Sequence, residues 1–222
     1  MIHIHKMSDF QTLEICPISP SVTGNAGEFG LLNNLSAKRR REFLTGRHAA
    51  ARGLRALGCG DAEVGVHQDR SPIWPDGYCG SISHSDRLCA VTVAQKSHIL
   101  SQGIDIEQRG AVDPEMATLI CQPFDDTVNL DPVTIFSAKE AYYKLWYPLV
   151  GEFLDFTDVS IRKGTGTTII ATLQHKISPT PRLICVTGCM KYVDNHVMTF
   201  FALAKKDGPL SLDPLAIAHD LV

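Results

Sequence analysis

The chain has no stretch approaching the ~20 consecutive apolar residues of a membrane-spanning helix. Its first residues, Met1 to Lys6, carry no apolar core of a secretory signal, so cytoplasm is the expected location and no membrane partner is expected. There is no Cys-x-x-Cys pair and no Cys/His cluster. An odd set of seven cysteines (Cys16, Cys59, Cys79, Cys89, Cys121, Cys185 and Cys189) suits neither a disulfide framework nor a zinc site. They read as small buried or half-buried thiols. Positive charge is not in excess either: 21 Lys and Arg against 24 Asp and Glu give a net charge of −3. A protein that held nucleic acid through general phosphate contacts would be more basic, so any anion site must be a local gathering of Lys and Arg. What remains is an ordinary globular composition, 44% hydrophobic and 20% charged. Its 222 residues suffice for one large domain or two small halves sharing a core.

Residues 1–35 hold Pro17, Pro20, Gly24, Gly27 and Gly30 and read as loop with a strand or two. Ser36 then offers an N-cap, and Phe43, Ala50, Leu54 and Leu57 recur at helical spacing before Gly58. A helix over 36–57 follows. A second helix is expected over 133–147, with Ile135, Ala138, Tyr142, Leu145 and Trp146 on its apolar side. Short strands are expected at 80–84, 88–93 and 103–107, and beyond Gly151 an antiparallel sheet from 159–162, 167–173, 183–186 and 197–202. Long helices among short antiparallel strands indicate an α+β fold.

Four segments carry chemistry. In Gly103-Ile104-Asp105-Ile106-Glu107, strand alternation sends both isoleucines to the core and both carboxylates to the other face. Two such carboxylates repel, which favours a bound cation such as Mg²⁺ or a raised pKa; a half-exposed acidic strand face has the same pattern. In Phe136-Ser137-Ala138-Lys139-Glu140-Ala141-Tyr142-Tyr143-Lys144, Glu140 and Lys144 meet at i,i+4. A surface ion pair would do the same, but Tyr142, Tyr143 and Trp146 argue for a packed helix, where ionised groups need partners. The basic run Lys38-Arg39-Arg40-Arg41 with Arg47 and Arg52 is either a solvated helix face or a phosphate clamp. The segment from Arg70 to Ser85, stiffened by Pro72 and Pro75, presents Ser81, Ser83 and His84, the last a structural histidine or a phosphate ligand.

Taken in order, RRREFLTGR, RSPIWPDGYCGSISHS, GIDIE, FSAKEAYYK and GEFLDF resemble the 4′-phosphopantetheinyl transferase superfamily, in the branch of monomeric enzymes serving siderophore, polyketide and fatty-acid carrier proteins. The matching region runs from about Lys38 to Phe156. The resemblance implies two similar α/β halves related by a pseudo-twofold axis, each an antiparallel sheet on a long helix, at 1–102 and 103–222, with the active site in the cleft between. It implies coenzyme A as substrate, an apo acyl or peptidyl carrier protein as partner, and a monomer. Asp105, Glu107 and Glu140 match the ligands of Mg²⁺, for which Mn²⁺ could substitute. Lys144 matches the lysine on the pyrophosphate, and Glu140 with Lys144 the catalytic pair. Ser83 and His84 match the residues near the 3′-phosphate and adenosine, and Arg39, Arg47 and Arg70 those holding phosphates. The family's Lys-Gly-(Lys/Glu)-Pro is here Asp69-Arg70-Ser71-Pro72, which weakens the match at Arg70. Phe136 stands where relatives have Trp, and Ser85 where they have Cys. A coenzyme A-binding protein without activity, or a Mg²⁺-dependent coenzyme A phosphodiesterase, would use much of the same set.

Overall fold

Central strands buried on both faces, between two long helices that each bury one side, give a four-layer molecule, helix on sheet on sheet on helix. The computed structural model describes residues 3–20, 35–174, 178 and 180–205. Strands β1 (His3–Ser8), β2 (Gln11–Pro17), β5 (Tyr78–His84) and β6 (Leu88–Gln95) form one antiparallel sheet in the order β1-β2-β6-β5. The other has β7 (Ile99–Gln108), β8 (Val159–Lys163), β9 (Thr168–Leu173), β10 (Cys185–Val193) and β11 (His196–Ala204) in the order β7-β11-β10-β9-β8. A two-residue pair, β3 (Gly65–Val66) with β4 (Pro72–Ile73), stands apart.

Helix α1 (Ala37–Ala56) covers the outer face of the first sheet. Ser36 caps it by accepting from the Arg39 amide, and Gly58 follows its end at φ +82. Ala49, Ala50 and Leu54 pack on Cys89, Val91 and Val93 of β6. The alternate residues Ala90 and Ala94, with Leu13 and Ile15 of β2, face inward against Ile104, Ile106, Met198 and Phe200 of the second sheet. Helix α3 (Pro132–Val150) closes the far side, capped by the Asp131 side chain on the Thr134 amide and ended by Gly151 at φ 75. Its Ile135, Ala138, Tyr142, Leu145 and Trp146 are fully buried. Leu145 and Trp146 are therefore core, while Leu149, further along the same stretch, is exposed.

Residues 3–17 form an antiparallel pair of strands, within the strand or two expected there, and the glycines at 24, 27 and 30 lie outside the described residues. Two elements differ from the sequence expectation. A short helix α2 (Pro114–Ile120) is set by Asp113 at the N-cap and Pro114 behind it. Leu183 sits in a 3₁₀ turn (Pro181–Leu183) rather than a strand, because Thr180 and Pro181 start a turn and β10 begins only at Cys185.

Lys139 explains how α3 is fastened. Its side chain is buried; Nζ pairs with Asp125 Oδ2 at 2.7 Å and donates to the carbonyls of Ile120 at 2.9 Å and Phe156 at 2.7 Å. Asp125 in turn accepts from the amides of Gln122 and Ile161. One ammonium thus ties α3 to the end of α2 and the turn before β8. Lys139→Met leaves the Asp125 carboxylate buried beside an apolar chain, and a loss of about 3–5 kcal/mol in urea unfolding is expected.

Candidate active site

The site forms where the edge strands of the two sheets meet. An edge strand has amide groups in need of partners. Strand β5 supplies them from side chains: Cys79, Ser81 and Ser83 alternate along its inward face. Ser81 Oγ accepts from the Ile104 amide at 3.1 Å and Ser83 Oγ from the Ile106 amide at 3.4 Å. Small hydroxyl residues at every second position thus let β5 lie against β7. On the other side, Gly103 lets α3 approach just as closely, since a Cβ there would collide with the Ala141 carbonyl oxygen.

These two close approaches bring Asp105 between β5 and α3. Its Oδ1 accepts from Ser83 Oγ at 2.7 Å and from Lys144 Nζ at 2.7 Å. Its Oδ2 is buried and has no hydrogen-bond partner among the described residues, although the residue is only 2% exposed. A buried, unpaired carboxylate oxygen is costly and calls for a ligand. Glu107, one strand repeat away, is pushed up to about 7 by burial first and by the Asp105 charge second. Burial also raises Glu140; Lys144 opposes that shift and Asp105 adds to it. All four line a single cleft of about 740 Å³.

The opposite wall comes from α1 and the end of β5: Lys38, Arg39, Glu42, His84 and Asp86. Lys38 is ion-paired with Asp86. His84 is half-buried, and burial holds its imidazole below the usual value while Glu42 pulls the other way. Arg39, Ser83, His84, Asp105, Glu107, Glu140 and Lys144, all singled out in the sequence, therefore share the cleft. Arg47 and Arg70 are not in its lining. Arg47 is buried on α1 with its guanidinium 4.9 Å from the Phe43 ring centroid. Arg70 is exposed in the turn between β3 and β4, at φ 70. Its neighbour Asp69 accepts from Tyr147 Oη of α3 at 2.8 Å.

Among the described residues, no three His, Cys, Asp or Glu side chains are gathered tightly enough to be a ready-made metal cage. Mg²⁺ does not need one. It keeps several waters and is usually held by one or two carboxylates together with substrate phosphates. An unpaired Asp105 oxygen beside two carboxyls of raised pKa fits such an open site.

The halves meeting at this cleft also match family models separately. Residues 28–94 match the 4′-phosphopantetheinyl transferase N-terminal domain, and residues 101–200 the 4′-phosphopantetheinyl transferase superfamily. The chain is 32% identical over 168 residues to 4′-phosphopantetheinyl transferase PptT of Mycobacterium tuberculosis, covering 72% of this chain and 74% of that one. The chain belongs to the 4′-phosphopantetheinyl transferase superfamily. To the transferase Npt of Nocardia iowensis it is 31% identical over 159 residues, 68% of this chain and 71% of the other. To enterobactin synthase component D of Escherichia coli it is 33% identical over 128 residues, 52% and 59% of the two chains. The α+β structure with its antiparallel sheets is compatible with the two-half fold of the superfamily.

The sequence did not single out Glu42. Glu42 could have been found, because it stands at i+3 from Arg39 and i+4 from Lys38 on a helix. Ser81 was named with Ser83 and His84, but not its bond from the Ile104 amide, which depends on a strand more than twenty residues further along.

Proposed function

We propose that the chain transfers the 4′-phosphopantetheine group of coenzyme A to a serine of an apo acyl or peptidyl carrier protein, with 3′,5′-ADP as the second product. The observation that carries this reading is the unpaired Asp105 Oδ2, set in one cleft with Lys144, Glu107 and Glu140. Membership of the superfamily supports it.

In this reading Asp105, Glu107 and Glu140 hold Mg²⁺, which when bound neutralises charge on the diphosphate. Ser83 orients Asp105 through its hydroxyl, and Asp105 in turn holds Lys144 at 2.7 Å. Lys144 places a positive charge where the bridging oxygen of the diphosphate becomes anionic. The serine oxygen bonds to the β-phosphorus as the bond from that phosphorus to the bridging oxygen breaks. Glu140 takes the serine proton directly or across one water. 3′,5′-ADP departs with the bridging oxygen.

The test is to incubate the protein with coenzyme A, Mg²⁺ and a panel of apo-carrier proteins and weigh the carriers. A phosphopantetheine adduct is expected on at least one. Folded protein that modifies none contradicts the reading, and 3′,5′-ADP released without any carrier identifies a phosphodiesterase instead.

A pH effect follows for the metal-free protein. Glu107 is ionised near its usual 4.5 when unfolded but only at about 7 when folded. Below 4.5 both states are protonated and nothing is lost. As pH rises from 4.5 to about 7, the unfolded state is ionised while the folded one is not, so stability falls; above that the loss is complete. Bound Mg²⁺ requires ionised carboxylates and relieves their repulsion. Thermal melts with and without Mg²⁺ should therefore show a larger metal-induced rise at pH 8 than at pH 6, and an equal rise at both would contradict the assignment of Glu107 to the metal.

A further inference from the structure

The cleft has two poles, and one residue at the second is unexplained. Asp105, Glu107, Glu140 and Lys144 make up the first pole; at the second, Lys38, Arg39 and His84 surround a carboxylate. Glu42 is 3% exposed. Its Oε2 accepts from Arg39 Nη1 at 3.1 Å and lies 3.7 Å from His84 Nδ1, and its Oε1 is 3.9 Å from Lys38 Nζ. A plain i,i+3 pair on a helix surface would be exposed at both ends and nearly without effect. This carboxylate is buried, and one of its neighbours arrives from β5 rather than from its own helix.

A wall that receives phosphates gains nothing directly from a negative charge. What Glu42 supplies is direction. The Arg39 side chain is 65% exposed and that of His84 29% exposed, so without a fixed partner each has freedom to lose when a ligand binds. Lys38 is held chiefly by Asp86 and depends less on Glu42. Coenzyme A carries phosphate at two separate places, the diphosphate and the ribose 3′ position, and the cleft draws its charged groups from two sets of elements, β7 with α3 and α1 with the end of β5. We infer that Glu42 is a positioning residue that aims Arg39 and His84 at the 3′-phosphate of coenzyme A while the diphosphate lies at the Asp105 and Lys144 pole. This inference rests on the transferase reading given above.

Two effects oppose each other when Glu42 is neutralised: repulsion of the ligand falls, and the orientation of its receptors is lost. The cationic side chains of Arg39 and Lys38 already offset the Glu42 charge, so loss of orientation dominates.

The experiment measures kcat and KM for coenzyme A and for 3′-dephospho-coenzyme A, with carrier in excess, in wild type, Glu42→Gln and Glu42→Asp. For Glu42→Gln, KM for coenzyme A should rise about tenfold, the scale of one charge-assisted hydrogen bond, with kcat changed less than about twofold. KM for the dephospho form should stay put, and Glu42→Asp should keep part of the preference. An unchanged or lower KM for coenzyme A, or an equal rise for both substrates, overturns the inference. If Glu42→Gln does not fold, Arg39→Gln, altered at an exposed side chain, must lose the same preference; if it keeps the preference, the inference falls. Wild type that modifies no carrier would strike the transferase reading instead, and calorimetric affinities for the same two ligands would then decide the role of Glu42 by the same ratio.

Discussion

Asp105→Asn is expected to lower kcat/KM for carrier modification by about a thousandfold or more, the scale of removing one preorganised electrostatic group from a phosphoryl-transfer site. The substitution keeps the shape and can still accept from Ser83, but it removes the charge that holds Lys144 and turns the unpaired oxygen into a poor cation ligand. Glu140→Gln should behave alike, because it removes both a proposed metal ligand and the proposed base. Stability moves the other way at the neighbouring position. Glu107 is a partly buried carboxyl crowded by Asp105, so Glu107→Gln should raise the melting temperature of the metal-free protein at pH 8 while lowering turnover. Continuous carrier assays and thermal melts on the same preparations read both effects. Near wild-type turnover in Asp105→Asn or Glu140→Gln would remove that residue from its assigned role.

The second large effect is expected far from any charge. Gly103 faces the backbone of α3, where a Cβ would collide with the Ala141 carbonyl and come within 2.7 Å of the Leu145 amide nitrogen. Ser101 Oγ donates to the Leu145 carbonyl at 2.7 Å two residues earlier on the same face, so strand and helix are fastened as well as close. Backbone cannot turn aside as a flexible side chain can. In Gly103→Ala the helix must therefore move, at about 1–3 kcal/mol or more of overpacking. Glu140 and Lys144 ride on that helix while Asp105 stays on β7. A displacement of ~1 Å between them is expected to cost about a hundredfold in kcat/KM. Urea unfolding and kinetics on Gly103→Ala give the two numbers separately. Full activity in this variant would mean that the close approach of strand and helix does not set the site.

How much of this was legible beforehand differs by element. Helix α1 announced itself through Ser36 and Gly58, and α3 through the apolar side of Ile135, Ala138, Tyr142, Leu145 and Trp146, signals that act locally. The alternation of Ile104 and Ile106 with Asp105 and Glu107 gave the facing of β7 correctly, because pleating fixes it within five residues. Helix α2 was missed although Asp113, Pro114 and Glu115 carry a normal start signal; its seven residues are too few to display a period. The basic run at 38–41 showed that α1 carries cations but not which stripe meets the cleft. That depends on how α1 sits on β6, and it is why Arg39 lines the cleft while Arg47 does not. The seam of Ser81 and Ser83 on β7 was beyond reach, since it arises only when two edge strands from different sheets meet.

In the proposed mechanism, carboxylates from β7 and α3 converge on one divalent ion that also grips a diphosphate. The most direct measurement loads the protein with Mn²⁺ and coenzyme A and records the phosphorus hyperfine coupling to the metal. Coupling is expected in the wild type and is expected to vanish in Asp105→Asn. Mn²⁺ bound to the wild type with no coupling to phosphorus, or coupling that survives unchanged in Asp105→Asn, would contradict it.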